Sequence, residues 1–237
     1  MSSDWAASTL SWWADAGVDV IVDEEPRDWL NPKPKAPTPP AAPEPGSALS
    51  DEPLPAQLDL FQAWLADSGS LPFAAPSAPR IVPSGDPAAG LMVMTDMPAA
   101  DDCASGTLFS GDAGRLFDRM LAAIGLSRET IYLATLSCLR SPTGRFDPAS
   151  AAECADIARH HIALASPRAL LLFGEACSKA LLGGPIARTR GRWHEIATPH
   201  GSVRTLVTMR PQDLLERPAL KALAWADLQM LMEGLKS

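Results

Sequence analysis

Four short aliphatic runs limit the possible folds of this chain more than anything else in it: Leu91–Thr95, Ile131–Leu136, Ala169–Phe173 and Val203–Val207, each bounded by turn residues. Runs of this length without polar alternation predict strands buried on both faces. Helical patterns fall between and after them. Gly114–Ile124 places Leu116, Phe117, Met120, Leu121 and Ile124 on one face and stops at Gly125; Ala149–Ala165 follows Pro148, Glu175–Leu182 stops at Gly183-Gly184, and Ala219–Leu235 follows Pro218. Strands alternating with helices at this spacing predict right-handed crossovers and a parallel sheet covered on both sides. Ligands of such sheets bind beyond the carboxyl ends of the strands. The loops of interest are therefore 96–112, 137–148, 174–175 and 208–213.

Proline marks the other division. Nine of the 23 prolines lie between Pro32 and Pro55, where missing N–H donors and a fixed φ preclude helix and central strand. This predicts a disordered, extended linker over 31–57 leading to a domain at 58–237. Within that domain, Leu58, Phe61, Trp64 and Leu65 mark a helix ending at Ser68-Gly69, and the compact part is expected to begin near residue 90. Residues 1–30 form an acidic arm with Trp5, Trp12 and Trp13 at helical spacing. Too small for a core of its own, the arm either docks on the domain or binds a protein partner through its tryptophans.

The net charge of −8 argues against nucleic acid only if charge is evenly mixed. It is not: residues 1–90 carry 13 acidic and 4 basic side chains (net −9), and residues 91–237 carry 15 acidic and 16 basic (net +1). No apolar run reaches about 18 residues, which excludes a transmembrane helix, and the first residues lack a signal-peptide pattern, so a cytoplasmic location is expected. The four cysteines, at 103, 138, 154 and 177, include no C-x-x-C pair. That excludes a dense disulfide scaffold and a zinc ribbon, leaving free thiols or metal ligands.

After the first run come Thr95-Asp96-Met97-Pro98-Ala99 and then Phe109; after the second come Ser137-Cys138-Leu139-Arg140-Ser141; later follow Glu153-Cys154, Phe173-Gly174, Arg190-Gly191-Arg192-Trp193-His194-Glu195 and Arg210-Pro211-Gln212-Asp213-Leu214-Leu215. A carboxylate directly after a buried strand can orient a water, and a loop aromatic can stack on a planar ligand. In order and spacing, these segments resemble the uracil-DNA glycosylase superfamily over roughly residues 58–235, nearest its iron–sulfur-containing branch. The resemblance implies a three-layer α/β/α sandwich on a four-stranded parallel sheet. It also implies hydrolysis of the N-glycosidic bond of a uracil flipped out of DNA.

Carried over by position, Asp96 replaces the glutamate of the family's first motif, which loses both glycines, and Met97 and Pro98 fill the rest of it. Phe109 matches the base-stacking aromatic. Thr135 stands where an asparagine reads the pyrimidine, and cannot offer a paired donor and acceptor. Arg210 stands where a histidine supports the departing base, and its planar fork differs from an imidazole. Cys138 and Cys154 keep the spacing of two of four cluster thiolates, with no cysteine in 1–90 to complete the set. The implied [4Fe–4S] cluster is therefore expected to be lost, with no metal in its place.

Arg188, Arg190 and Arg192 are candidates for DNA-phosphate contacts, against the plainer alternative of a solvated loop. Trp193, His194, His160, His161 and His200 read as structural, and Asp101 and Asp102 as turn-formers. Two functional readings follow. One is a DNA-binding or partner-binding protein of base-excision repair with weakened or lost glycosylase activity. The other is an active glycosylase in which Asp96 orients water, Phe109 stacks the base and Arg210 stabilises the leaving anion.

Overall fold

The computed structural model describes residues 53–236, which lie within one compact unit, Ser47–Ser237. The arm at 1–30 and most of the expected linker fall outside the described residues. Helices are α1 (Leu58–Asp67), α2 (Ala100–Ser105), α3 (Gly111–Ala123), α4 (Pro148–Ala165), α5 (Glu175–Leu182), α6 (Ile186–Thr189), α7 (Pro211–Glu216) and α8 (Lys221–Lys236). Strands are β1 (Ser84–Gly85), β2 (Leu91–Thr95), β3 (Tyr132–Thr135), β4 (Ala169–Phe173), β5 (His194–Thr198) and β6 (Gly201–Thr208).

The sheet order is β1-β3-β2-β4-β6-β5. Its four inner strands are the four aliphatic runs, all parallel, with β1 and β5 added antiparallel at the edges. The sheet is thus six-stranded, two more than the sequence suggests. Strand β1 is two residues long, and β5 buries only Ile196, so neither edge leaves an apolar run to read.

Alternation along the inner strands divides the core between two faces. Val93, Leu133, Leu171 and Leu206 face α3, α7 and α8 through Phe117, Leu121, Leu214 and Leu228. Met92, Met94, Leu170, Leu172 and Val207 face α4 and α5 through Ala155, Ile162, Cys177 and Leu181. These are the expected three layers.

A third cluster corrects the compact boundary near residue 90. Phe61, fully buried, packs with Leu65, Leu71, Cys138, Leu139 and Ile157, so α1 belongs to the core. The amide nitrogen of Gln62 donates to the Tyr132 hydroxyl (2.7 Å), which in turn lies 2.7 Å from His161 Nε2. Burial drives the His161 pKa down to about 3, so the ring that meets the Tyr132 hydroxyl is neutral. His160 donates to the Pro55 carbonyl at 2.8 Å, which ties the approach to α1 onto α4. Among the described residues, no helix is long and apolar enough to cross a membrane.

Candidate active site

The carboxyl ends of β2, β4 and β6 bring together side chains that are far apart in sequence. Asp96 follows β2 and is 5 % exposed. Its Oδ1 accepts the Cys177 N–H at 2.8 Å, in the first turn of α5, and its Oδ2 lies 3.4 Å from Arg210 Nη1. Burial raises the Asp96 carboxyl above its usual range, opposed by the Arg210 charge and by the amides of Cys177 and Ala176.

Arg210 caps the start of α7 and is gripped a second time: Nε and Nη2 donate to the two carboxylate oxygens of Asp213 at 3.0 and 2.9 Å. One guanidinium is therefore shared between two carboxylates. Its pKa is raised first by the Asp213 hydrogen bonds, with burial opposing and the Asp96 charge adding to the rise.

Gly174 makes this approach possible. It sits at φ +102°, and a Cβ there would stand 2.5 Å from Asp96 Oδ2 and 2.9 Å from Arg210 Cδ. No other residue fits without moving one of the two. Neither Asp213 nor Gly174 is evident as a site residue from sequence; the signals were an acid three residues after Arg210 and a glycine directly after a buried strand.

Asp96, Met97 and Arg210 border a cavity of about 940 Å³, whose far walls are the 144–148 loop, the start of α4, and α5. The other residues expected here are elsewhere. Phe109 does not line the cavity: its ring is 2 % exposed and packs on Phe117 (4.4 Å between centroids) and Phe173 (5.8 Å). Its backbone, at φ +52°, is held by Arg128 Nη2 on its carbonyl. Pro98 is buried and does not line the cavity, its carbonyl accepting from Arg140 at 3.0 Å.

Thr135 borders a different cavity, of about 10 Å³, shared with Cys138, Cys154, Leu65 and Leu71. Those two cysteines bear on the cluster. Burial pushes the Cys138 thiol up to about 11 and the Cys154 thiol to about 12. Cys138 Sγ also donates weakly to the Leu65 carbonyl at 3.7 Å. Among the described residues no group of three or more His, Cys, Asp or Glu could hold a metal ion. Cys177 lies beside Asp96 and Cys103 on α2, so neither supplements the pair. These residues do not fit a cluster that takes four thiolates.

The arginine rim is also corrected. Arg190 faces inward: Nη2 and Nε donate to Asp227 at 2.9 and 3.2 Å, and Nη2 to the Leu223 carbonyl. Asp227 is fully buried and also accepts from Thr208. Arg190 thus ties the end of α6 to α8, and its guanidinium is engaged there rather than turned out to a phosphate. Arg188 and Arg192 are exposed. Trp193 lies under Arg204 at 4.4 Å, and His194 Nε2 donates to the Thr189 carbonyl at 2.7 Å. Asp102 organises its loop, accepting from the Ala99 and Ser110 amides.

The model of the uracil DNA glycosylase superfamily matches residues 82–229. The chain belongs to the uracil DNA glycosylase superfamily. Among its relatives, a type-4 uracil-DNA glycosylase of Archaeoglobus fulgidus is 25% identical over 156 residues, covering 63% of this chain and 78% of the relative. That of Pyrobaculum aerophilum is 24% identical over 157 residues, covering 63% and 80%. Within this superfamily fold, the chain has an open cleft at the strand ends, where Asp96 and Asp213 share the Arg210 guanidinium.

Proposed function

We propose that this protein binds DNA in a base-excision-repair context, receiving an extruded nucleotide in the large cavity, and that its glycosylase activity is weak or lost. The Asp96–Arg210–Asp213 array carries this reading. Hydrolysis needs a carboxylate free to orient water and a donor free to meet charge developing on the departing base. Here one oxygen of Asp96 takes an amide proton and the other faces Arg210, while Arg210 directs two of its donors to Asp213. Each group is satisfied by a protein partner before substrate enters. A cation between two carboxylates has no surplus charge for an anion.

Thr135 lacks a carboxamide, and Phe109 sits in the core. Loss of one tuned donor typically lowers the rate about 10²–10³-fold, and groups that act as a unit fail as a unit. With two of four cluster thiolates matched and no metal-holding group of three or more His, Cys, Asp or Glu among the described residues, the donor set supports a protein that works without the cluster. Exposed Arg188 and Arg192 serve as phosphate contacts. A repair partner held through residues 1–30 belongs to the same cytoplasmic role, and partner capture would be lost on deleting that segment.

The test is a titration of a labelled single-stranded oligonucleotide containing uracil, with abasic product measured in the same samples. Saturable, salt-sensitive binding without product is expected. The presence of Asp96 on the cavity wall favours one other reading, an active hydrolase in which Asp96 orients water and Arg210 stabilises the anion. Abasic product accumulating with bound protein would establish it.

A further inference from the structure

The cavity beside Asp96 is larger than a nucleobase needs. At about 940 Å³ it runs from Asp96 and Met97 out to Arg145 and Phe146, in the range of about 300–1,000 Å³ that accepts whole small-molecule ligands. Its aromatic wall is Phe146, half-buried and tilted against Phe73 at 5.8 Å between centroids. Phe109, by contrast, is enclosed by Phe117 and Phe173.

Next to Phe146, Arg145 is exposed, and among the described residues its guanidinium has no hydrogen-bond or ion-pair partner. The other cations on the wall are engaged: Arg159 with Asp156 and the Ala180 carbonyl, Lys179 with Glu175, and Arg210 with its two carboxylates.

The loop bearing Arg145 and Phe146 is held in place. Ser141 Oγ donates to the Arg145 carbonyl at 2.7 Å and accepts the Arg145 amide at 2.9 Å. Arg140, from the same loop, donates to the Pro98 carbonyl at 3.0 Å and so ties it to the segment that follows Asp96.

We propose that Phe146 and Arg145 form a nucleotide subsite on the cavity wall, with a base stacked on the Phe146 ring and a phosphate held by the Arg145 guanidinium. Stacking on an aromatic face tolerates any base, and an unpaired guanidinium matches a phosphate geometrically. The ligand is a base-plus-phosphate unit, either within a DNA strand or as a free mononucleotide. The proposal rests on the nucleic-acid-binding reading above.

The experiment uses the full chain, with a labelled single-stranded oligonucleotide and free deoxyuridine monophosphate as separate probes. Phe146→Leu, which keeps an apolar side chain against Phe73, raises Kd about tenfold, and Phe146→Trp keeps it near wild type. Arg145→Ala weakens binding and lowers the slope of log K against log salt by about 1. Thermal melts confirm that each variant is folded.

Binding of the oligonucleotide but not the mononucleotide, weakened in both Phe146→Leu and Arg145→Ala, supports the subsite and assigns it to a strand. Binding of the mononucleotide as well, with the same loss in both variants, supports it for free nucleotides too. Wild-type affinity and salt slope in folded Phe146→Leu and Arg145→Ala overturn the subsite while leaving DNA binding intact. A wild-type chain that binds neither probe overturns both.

Discussion

Helix α4 separates two cavities that have opposite characters. Ala151, Ala152, Ala155 and Arg159 border the large one, of about 940 Å³. Cys154, Ile157, Ala158 and His161 border the small one, of about 10 Å³. The helix is the same; what faces it differs. On one side small side chains stand among charged groups, most of them paired with one another, and the space stays open. On the other, Leu65 and Leu71 close over two buried thiols, and α1 packs Phe61 against Cys138. An open cavity forgoes dispersion contacts that a closed one gains, so the open side has room for a ligand, while the closed side is held by apolar packing.

Breaking the closed side should have the largest effect on stability. Phe61→Ala removes a fully buried ring and is expected to cost about 3–5 kcal/mol in denaturant titrations. A loss under 1 kcal/mol would mean that α1 is not part of the core. Arg190→Ala leaves Asp227 buried without its cation and should cost about 3 kcal/mol. The folded fraction should keep its DNA affinity; a reduced salt slope in that variant would return Arg190 to the phosphate rim.

His161 sharpens the contrast through pH. Its folded pKa of about 3 lies below its ordinary 6.5, so between these values the unfolded chain binds more protons. Stability therefore falls as pH drops from about 6.5 towards 3, by roughly 1.4 kcal/mol per pH unit from this group. His161→Gln should flatten that slope in melts run across the range, and an unchanged slope would place the titrating group elsewhere. The smallest effect belongs to the thiols: Cys138→Ala and Cys154→Ala should each cost about 1 kcal/mol, as small buried hydrophobes do. Unfolding by an iron chelator would contradict this.

The inner sheet was legible because Leu91–Thr95 and Ala169–Phe173 are long enough, and apolar enough, to state burial on both faces. Helices α4 and α5 were marked by Pro148 and by Gly183-Gly184. The edge strands were hidden because β5 buries one residue and β1 is two residues long. Asp96 and Arg210 could be placed from their positions after strands, but their pairing could not, since it depends on Asp213 turning Arg210 and on Gly174 leaving room. Arg190 resembled its neighbours Arg188 and Arg192 in sequence. Only the buried Asp227, 37 residues away, sets it apart.

Single-turnover kinetics on a uracil-containing single-stranded oligonucleotide, with protein in excess and the bound fraction recorded alongside, bears on all of this at once, comparing wild type with Asp96→Asn. Saturated binding with no more abasic product from wild type than from Asp96→Asn is the expected result. Product formed by wild type and abolished by Asp96→Asn would show that the paired Asp96 still orients water, and that the array is a working catalytic site.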